Sequence, residues 1–401
     1  MAVEAAAAAV VATAAVGAAA EAAVATAAAA VVAAAVAAVV VTAAAVVAAA
    51  AVAAAVAAIA TKPIPNDDYQ NNQARGQKPR AFFTSHFPIH PESLMQTNRL
   101  GRTDLNVSVM SLGGAAIGQQ YGPVSAQEVA DTVHAAIDAG INLIDTSAYY
   151  GKGLAEEILG DVLQGGWREK VAICTKAGRI DRAEFDFTPA SMRKSVEASL
   201  RRLRTDHIEI LLAHDIEYAD DFEAVFTETA DVLHQLKKEG KCRYIGMSCF
   251  PLKLLVRAIE KCNLDVVISY CHYTLQNTTL LTQLMPIALQ HGVGVLNASP
   301  LAMGLLTHQG PPPWNPAPEA IRRACQQAAE HCRERGADLA TLGMQFCFQE
   351  PSIPSTITGT AKRSELEANL RTLSTSIDKQ LLAEVQAILA PVKDQTWPSG
   401  N

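Results

Sequence analysis

The chain's strongest constraint on its fold is a repeated pattern: a short apolar run closed by a polar residue, then an amphipathic segment of helical length. Apolar runs of this kind read as strands buried on both faces. The helices between them are the crossovers that parallel strands require. The runs are Ile141–Asp145, Val171–Thr175, His207–Ala213, Tyr244–Ser248, Val266–Tyr270, Val293–Asn297 and Ser355–Thr358, with an initial strand near Val109. Helices are expected from Ser125 to Gly140, Leu154 to Leu163, Thr188 onward, up to Gly240, Pro251 to Lys261, Leu280 to His291, Leu339 to Gln349 and Lys362 to Leu373. Ser125 and Glu128 have capping-box spacing, and Pro189 follows Thr188 as a first helical residue should. An inserted helix over Ala317–Arg335 and a last one over Ile377–Leu389 complete the pattern. Eight strand–helix units predict a (β/α)8 TIM barrel, whose ordinary length is roughly 250 residues. A doubly wound sheet would open on a Gly-rich turn, and LGGAAIG (112 onward) is only a loose echo of one. RLGRTDLNVSVMSLGG, from Arg99, predicts an N-terminal β-hairpin turning at Arg102–Asp104.

Residues 1–60 stand apart as a low-complexity tail of Ala and Val, in which Glu4 and Glu21 are the charged residues. They lack the basic start of a secretory signal and the Arg and Ser of a transit peptide. Ala gains little from lipid and no aromatic belt flanks the stretch, so no membrane role is expected. Residues 61–97 read as a linker and 98–401 as the barrel domain. The net charge of −7, from 33 basic and 40 acidic residues, argues against nucleic-acid binding. The eight cysteines form no CxxC pair and no His lies at zinc-finger spacing. Reduced thiols, a cytoplasmic location and no metal are expected, with Cys325 and Cys332 facing the core.

Three consecutive strands end on groups capable of chemistry: Asp145, with Tyr150 in the loop beyond, then Lys176, then His214. In a barrel these ends converge on one mouth. Taken singly, Asp145 and His214 also suit helix caps, Tyr150 a packed rim and Lys176 a solvated rim. Taken together they address a proton problem. Oxidising an alcohol by hydride loss requires a base for the hydroxyl proton, and a phenol of pKa about 10 is too weakly acidic to serve at neutral pH. An ammonium about 4 Å away supplies roughly 4 kcal/mol at an effective dielectric near 20, enough for a shift of about three units. Lys176 is expected to lower the Tyr150 pKa in this way. Asp145 orients the lysine and offsets part of its field, and His214 positions the substrate oxygen.

Asp145, Tyr150, Lys176 and His214 resemble the Asp/Tyr/Lys/His tetrad of the aldo-keto reductase superfamily. FDFTPASMRKSVEASLRRL (185 onward), AHDIEY (213), ISYCHY (268) and ASPLAMGLLTHQGPPPWNPA (298) resemble its plant sugar dehydrogenases acting on L-galactose. The resemblance runs from Arg99 to the last helix and leaves the tail outside. It implies an extended nicotinamide dinucleotide across the barrel top, held by Gly114, Ser248, Ser299, Pro300, Leu301, Gly359, Thr360, Glu365 and Asn369. Where relatives have Asn after the Ser, this chain has Cys249. Where many stack an aromatic ring on the nicotinamide, it has Ala298, with Tyr270 or Tyr273 as possible substitutes. NADP-specific relatives carry Lys and Arg at the positions of Gly359 and Glu365, so NAD is the expected cofactor, although Lys362 and Arg363 lie nearby. The implied reaction takes L-galactose to L-galactono-1,4-lactone on the route to ascorbate. The alternatives are a D-arabinose or L-fucose dehydrogenase, an NADPH-dependent aldehyde reductase, or a non-enzymatic barrel that senses dinucleotide for a partner.

Overall fold

Local signals set the elements. In the computed structural model, which describes residues 95–400, Ser125 Oγ accepts from Glu128 N at 3.2 Å. Glu128 Oε2 accepts from Ser125 N at 3.1 Å, completing the box that opens the helix Ala126–Asp138. Thr188 caps Pro189–Leu203 by a single bond, its Oγ1 accepting from Ser191 N at 3.4 Å. The tail and most of the linker lie outside the described residues. The Leu280 helix begins as a π turn, Leu280–Leu284, before Met285–His291. Pro286 sits at that junction and brings no N–H to the ladder.

Twelve strands follow in chain order among the described residues. β1 (Thr97–Arg99) and β2 (Asn106–Ser108) form the expected antiparallel hairpin. β3 (Met110–Gly113), β4 (Leu143–Asp145), β5 (Ala172–Ala177), β8 (Ile208–His214), β9 (Cys242–Cys249), β10 (Val266–Tyr270), β11 (Gly294–Ala298) and β12 (Ser355–Gly359) are parallel and close into one barrel, with β12 pairing β3. Closure excludes the doubly wound sheet. The sequence pattern did not reveal a second small hairpin, β6 (Arg179–Asp181) with β7 (Glu184–Phe185), which follows β5 directly.

Side chains alternate across each strand. Leu143, Cys174, Ile210, Leu212, Val266, Ile268, Leu296 and Ile357 fill the barrel interior. Leu100 and Val107 of the first hairpin join them and plug the N-terminal end. Gly101 shows how tight this plug is: a Cβ there would lie 2.3 Å from Gly294 N. One end is therefore sealed, and the open mouth is the end where the strands finish. The cysteines are all free and buried, Cys325 and Cys332 included. No described helix is long and apolar enough to cross a membrane.

Inside the wall, Gly246 of β9 faces β10 so closely that a Cβ would lie 1.7 Å from Val266 O. Gly246→Ala is expected to cost about 3 kcal/mol or more, because the strand pair must separate to admit the methyl. The shift of the urea unfolding midpoint measures it.

Candidate active site

Counting by twos from the interior residues puts Asp145, Lys176, His214, Ser248, Tyr270, Ala298, Gly359 and Gly113 at the inward positions closing the eight barrel strands. The strand-end residues expected to carry chemistry thus share one mouth. Lys176 is 3% exposed and Asp145 4%, so neither is a solvated rim group. Lys176 Nζ donates to Asp145 Oδ2 at 2.8 Å, to Thr146 O at 2.7 Å and to Tyr150 Oη at 3.4 Å. Asp145 Oδ1 also lies 2.7 Å from the ammonium, as an ion-pair contact without hydrogen-bond alignment. Tyr150 hangs over the pair from the loop after β4, with its ring 6.0 Å from that of His214 and at 87° to it.

The expected lowering of the Tyr150 pKa is not what this geometry produces. Burial raises it above the ordinary value, and the field of Lys176, though opposing, is the smaller effect. Asp145 and Asp215 add negative potential in the same upward direction. The contact with Lys176 is present, but desolvation of the phenolate outweighs it. Lys176 is itself held firmly protonated by Asp145 despite its burial. His214 is pushed well below its usual range by burial and by the Lys176 and Arg179 charges, so its imidazole is neutral. Its Nδ1 lies 2.9 Å from Ser147 Oγ, which also accepts from Tyr149 N at 3.1 Å. The Ser147 hydroxyl keeps its own proton to offer Nδ1 while accepting from Tyr149 N, so the contact is compatible with the tautomer that carries the His214 proton on Nε2.

The expected cofactor residues occupy the β9–β12 and β3 side of the mouth and the loops above it. Gly114 N donates to Asp145 O at 2.6 Å, and a Cβ at Gly114 would lie 3.0 Å from that same oxygen, so a side chain here would require the end of β4 to give way slightly. Ser248 is buried and its Oγ accepts from Asp215 N at 3.3 Å. Cys249 points the other way, into the shell between barrel and helices, and donates to Pro251 O at 3.4 Å. Ala298 neighbours Tyr270 across the β10–β11 ladder. Tyr270 is therefore the aromatic at the mouth, whereas Tyr273 stacks on Phe346 at 5.2 Å outside it. The loop Ser299, Pro300, Leu301 turns sharply: Ser299, Ala302 and Met303 have φ of 53°, 50° and 53°. Left-handed backbone costs non-glycine residues roughly 1 kcal/mol each and marks sites where conformation is imposed for a reason. Gly359 is exposed and a Cβ there meets nothing within 4 Å. Glu365, in the first turn of the helix Arg363–Ser374, accepts from Thr360 Oγ1 at 3.0 Å. Asn369 is half-buried two turns along. Arg363 is engaged by Glu367 at 2.9 Å.

Sequence reading missed Ser147, Tyr149 and Asp215, which contact the four at the mouth, and Arg179, which packs behind them. Arg179 ion-pairs with Asp215 and lies 3.8 Å over the Tyr149 ring. Three of these residues adjoin named site residues in DTSAYY and AHD, and that proximity was the available signal. Among the described residues, no cluster of His, Cys, Asp and Glu could hold a metal ion.

Comparison with known proteins agrees with this architecture. The chain is 40% identical over 315 residues to the L-galactose dehydrogenase of Arabidopsis thaliana, covering 76% of this chain and 98% of that protein. It is 34% identical over 257 residues to the D-arabinose 1-dehydrogenase of Saccharomyces cerevisiae, covering 61% and 76% respectively. An aldo-keto reductase of Bacillus halodurans, solved in its holo form, superposes with a TM-score of 0.63 at 22% identity, covering 76% of this chain and 99% of its own. Residues 109–390 match the Aldo/keto reductase family, and the chain belongs to that family of oxidoreductases.

Proposed function

We propose that this chain is an NAD-dependent sugar dehydrogenase that oxidises the anomeric carbon of an aldose, with L-galactose as substrate and L-galactono-1,4-lactone as product. One observation carries the reading: Tyr150, Lys176, Asp145 and His214 meet at the open mouth, with Lys176 Nζ in contact with the phenol oxygen. The similarity to an L-galactose dehydrogenase supports the choice of sugar.

The residues present fit a nicotinamide dinucleotide. Gly113, Ala298 and Gly359 leave the mouth low on one side, and Gly114 admits a close approach to the β3–β4 edge. Ser248, Ser299, Pro300, Leu301, Thr360, Glu365 and Asn369 would hold it. When bound, such a group accepts the hydride that leaves C1. Tyr150, as phenolate, takes the proton of the anomeric hydroxyl, so that the C1–H bond breaks as the C1=O bond forms. Lys176 stabilises the phenolate charge, Asp145 keeps the ammonium in place, and neutral His214 donates from Nε2 to the oxygen that becomes the carbonyl. The test is a panel of aldoses with NAD⁺ and NADP⁺ followed by absorbance. L-galactose with NAD⁺ should lead, and turnover of simple aldehydes alone would contradict the reading.

NAD preference rests on charge. Glu365 would repel a 2′-phosphate and could accept a bond from a ribose 2′-hydroxyl. The open space at Gly359 means that packing does not forbid a lysine there. Gly359→Lys with Glu365→Arg is expected to move the NADP⁺/NAD⁺ ratio of kcat/KM toward NADP⁺ by about a hundredfold, since two cations replace a repelling anion. An unchanged ratio would place the ribose elsewhere.

A further inference from the structure

Two buried polar atoms beside the candidate active site have no partner: Arg179 Nε, a donor, and Glu217 Oε2, an acceptor. Neither takes part in the proton transfer described above. Arg179 lies over the ring of Tyr149, which is 6.1 Å from the His214 ring and 6.2 Å from that of Tyr150. The Arg179 ion pair with Asp215 connects it to the turn bearing Glu217, which is only 2% exposed. The other carboxylate oxygen, Oε1, is fully engaged. It accepts from Tyr270 Oη at 2.8 Å, Phe250 N at 3.0 Å and Ser399 Oγ at 3.2 Å. These contacts fix the side chain, and Tyr270 is the inward residue closing β10 at the mouth.

We propose that Arg179 and Glu217 form a recognition subsite for hydroxyl groups of the substrate beside the carbon that reacts. A hydroxyl donates and accepts at once, so one polyol chain can answer both the unpaired N–H and the unpaired carboxylate oxygen. An apolar chain answers neither and leaves both buried without partners, which disfavours its binding. Burial and the Asp215 charge hold Glu217 up to about 7, consistent with a carboxyl removed from water. Trp397, stacked on Phe250 at 5.2 Å, brings the C-terminal segment against the same turn and keeps it dry. The inference deepens the dehydrogenase reading and rests on it, since it assigns substrate selection to residues of the same mouth.

Arg179→Lys tests it directly, because a lysine keeps a cation beside Asp215 but loses the Nε donor. Glu217→Ala removes the acceptor. Each is expected to lower kcat/KM for L-galactose by about tenfold or more, with butanal reduction and the NADH dissociation constant, read by protein fluorescence, staying within about threefold. Unchanged L-galactose efficiency in both variants overturns the subsite, as does a loss shared equally by butanal or NADH binding. Should Glu217→Ala fail to fold, single-deoxy analogues of L-galactose with the unaltered protein decide. One analogue should fall by about tenfold, and equal turnover of all of them overturns the proposal. A parent protein that prefers butanal to L-galactose refutes the dehydrogenase reading itself. A parent that prefers the sugar while both variants match it refutes only the subsite.

Discussion

Tyr150→Phe is expected to lower kcat for aldose oxidation by about 10³-fold while leaving dinucleotide affinity and stability nearly unchanged. The substitution removes one oxygen and keeps the ring that packs edge-on against His214. Lys176 retains two of its three hydrogen bonds, those to Asp145 and Thr146. The stability change should therefore stay below about 1 kcal/mol. What disappears is the acceptor for the anomeric proton. No other group stands ready for that role: His214 is held by Ser147 through Nδ1, and Asp145 is bound to the ammonium. Parallel measurement of kcat, NADH binding and urea unfolding separates this outcome from a folding defect. A variant with parental kcat would remove Tyr150 from the reaction.

Lys176→Met should be damaging in two distinct ways. Removing the cation leaves Asp145 buried with no counter-charge, which costs about 3–5 kcal/mol. It also removes the one interaction with a side chain here that lowers the Tyr150 pKa through charge, so the phenolate becomes still rarer and kcat should fall by about 10²–10⁴-fold. The two effects can be told apart. Lys176→Met with Asp145→Asn replaces the charged pair by neutral groups and should recover most of the lost stability but none of the activity. Urea midpoints and kcat for both single variants and the double complete the cycle. If the double variant were as unstable as Lys176→Met alone, the cost would lie in packing rather than in the stranded carboxylate.

The strand ends were legible in the sequence because each apolar run stops at a polar residue, as the Ile141 run does at Asp145. In a barrel such strand ends converge on one mouth, which is why Asp145, Lys176 and His214 could be assigned to it before any coordinates. The β6–β7 hairpin was not legible, since runs of two or three residues carry no period. The direction of the Tyr150 shift was misjudged for a different reason. The Lys176 contact could be inferred from strand order, but the depth of burial, which is the largest effect, could not, and neither could the smaller upward push of the Asp215 charge. The Glu217 network was out of reach as well. Ser399 meets Glu217 across 182 residues of chain, and no spacing rule connects them.

The account stands on a phenol that must lose its proton before it can take one from the substrate. Because burial raises the Tyr150 pKa, the reactive form is the minor one at neutral pH and grows as pH rises toward that pKa. The pH dependence of kcat/KM for L-galactose oxidation tests this most directly. It should climb by about tenfold per pH unit between about pH 6 and 9 in the parent protein, and the climb should vanish in Tyr150→Phe. A flat parental profile over that range, or the same slope in both proteins, would contradict it.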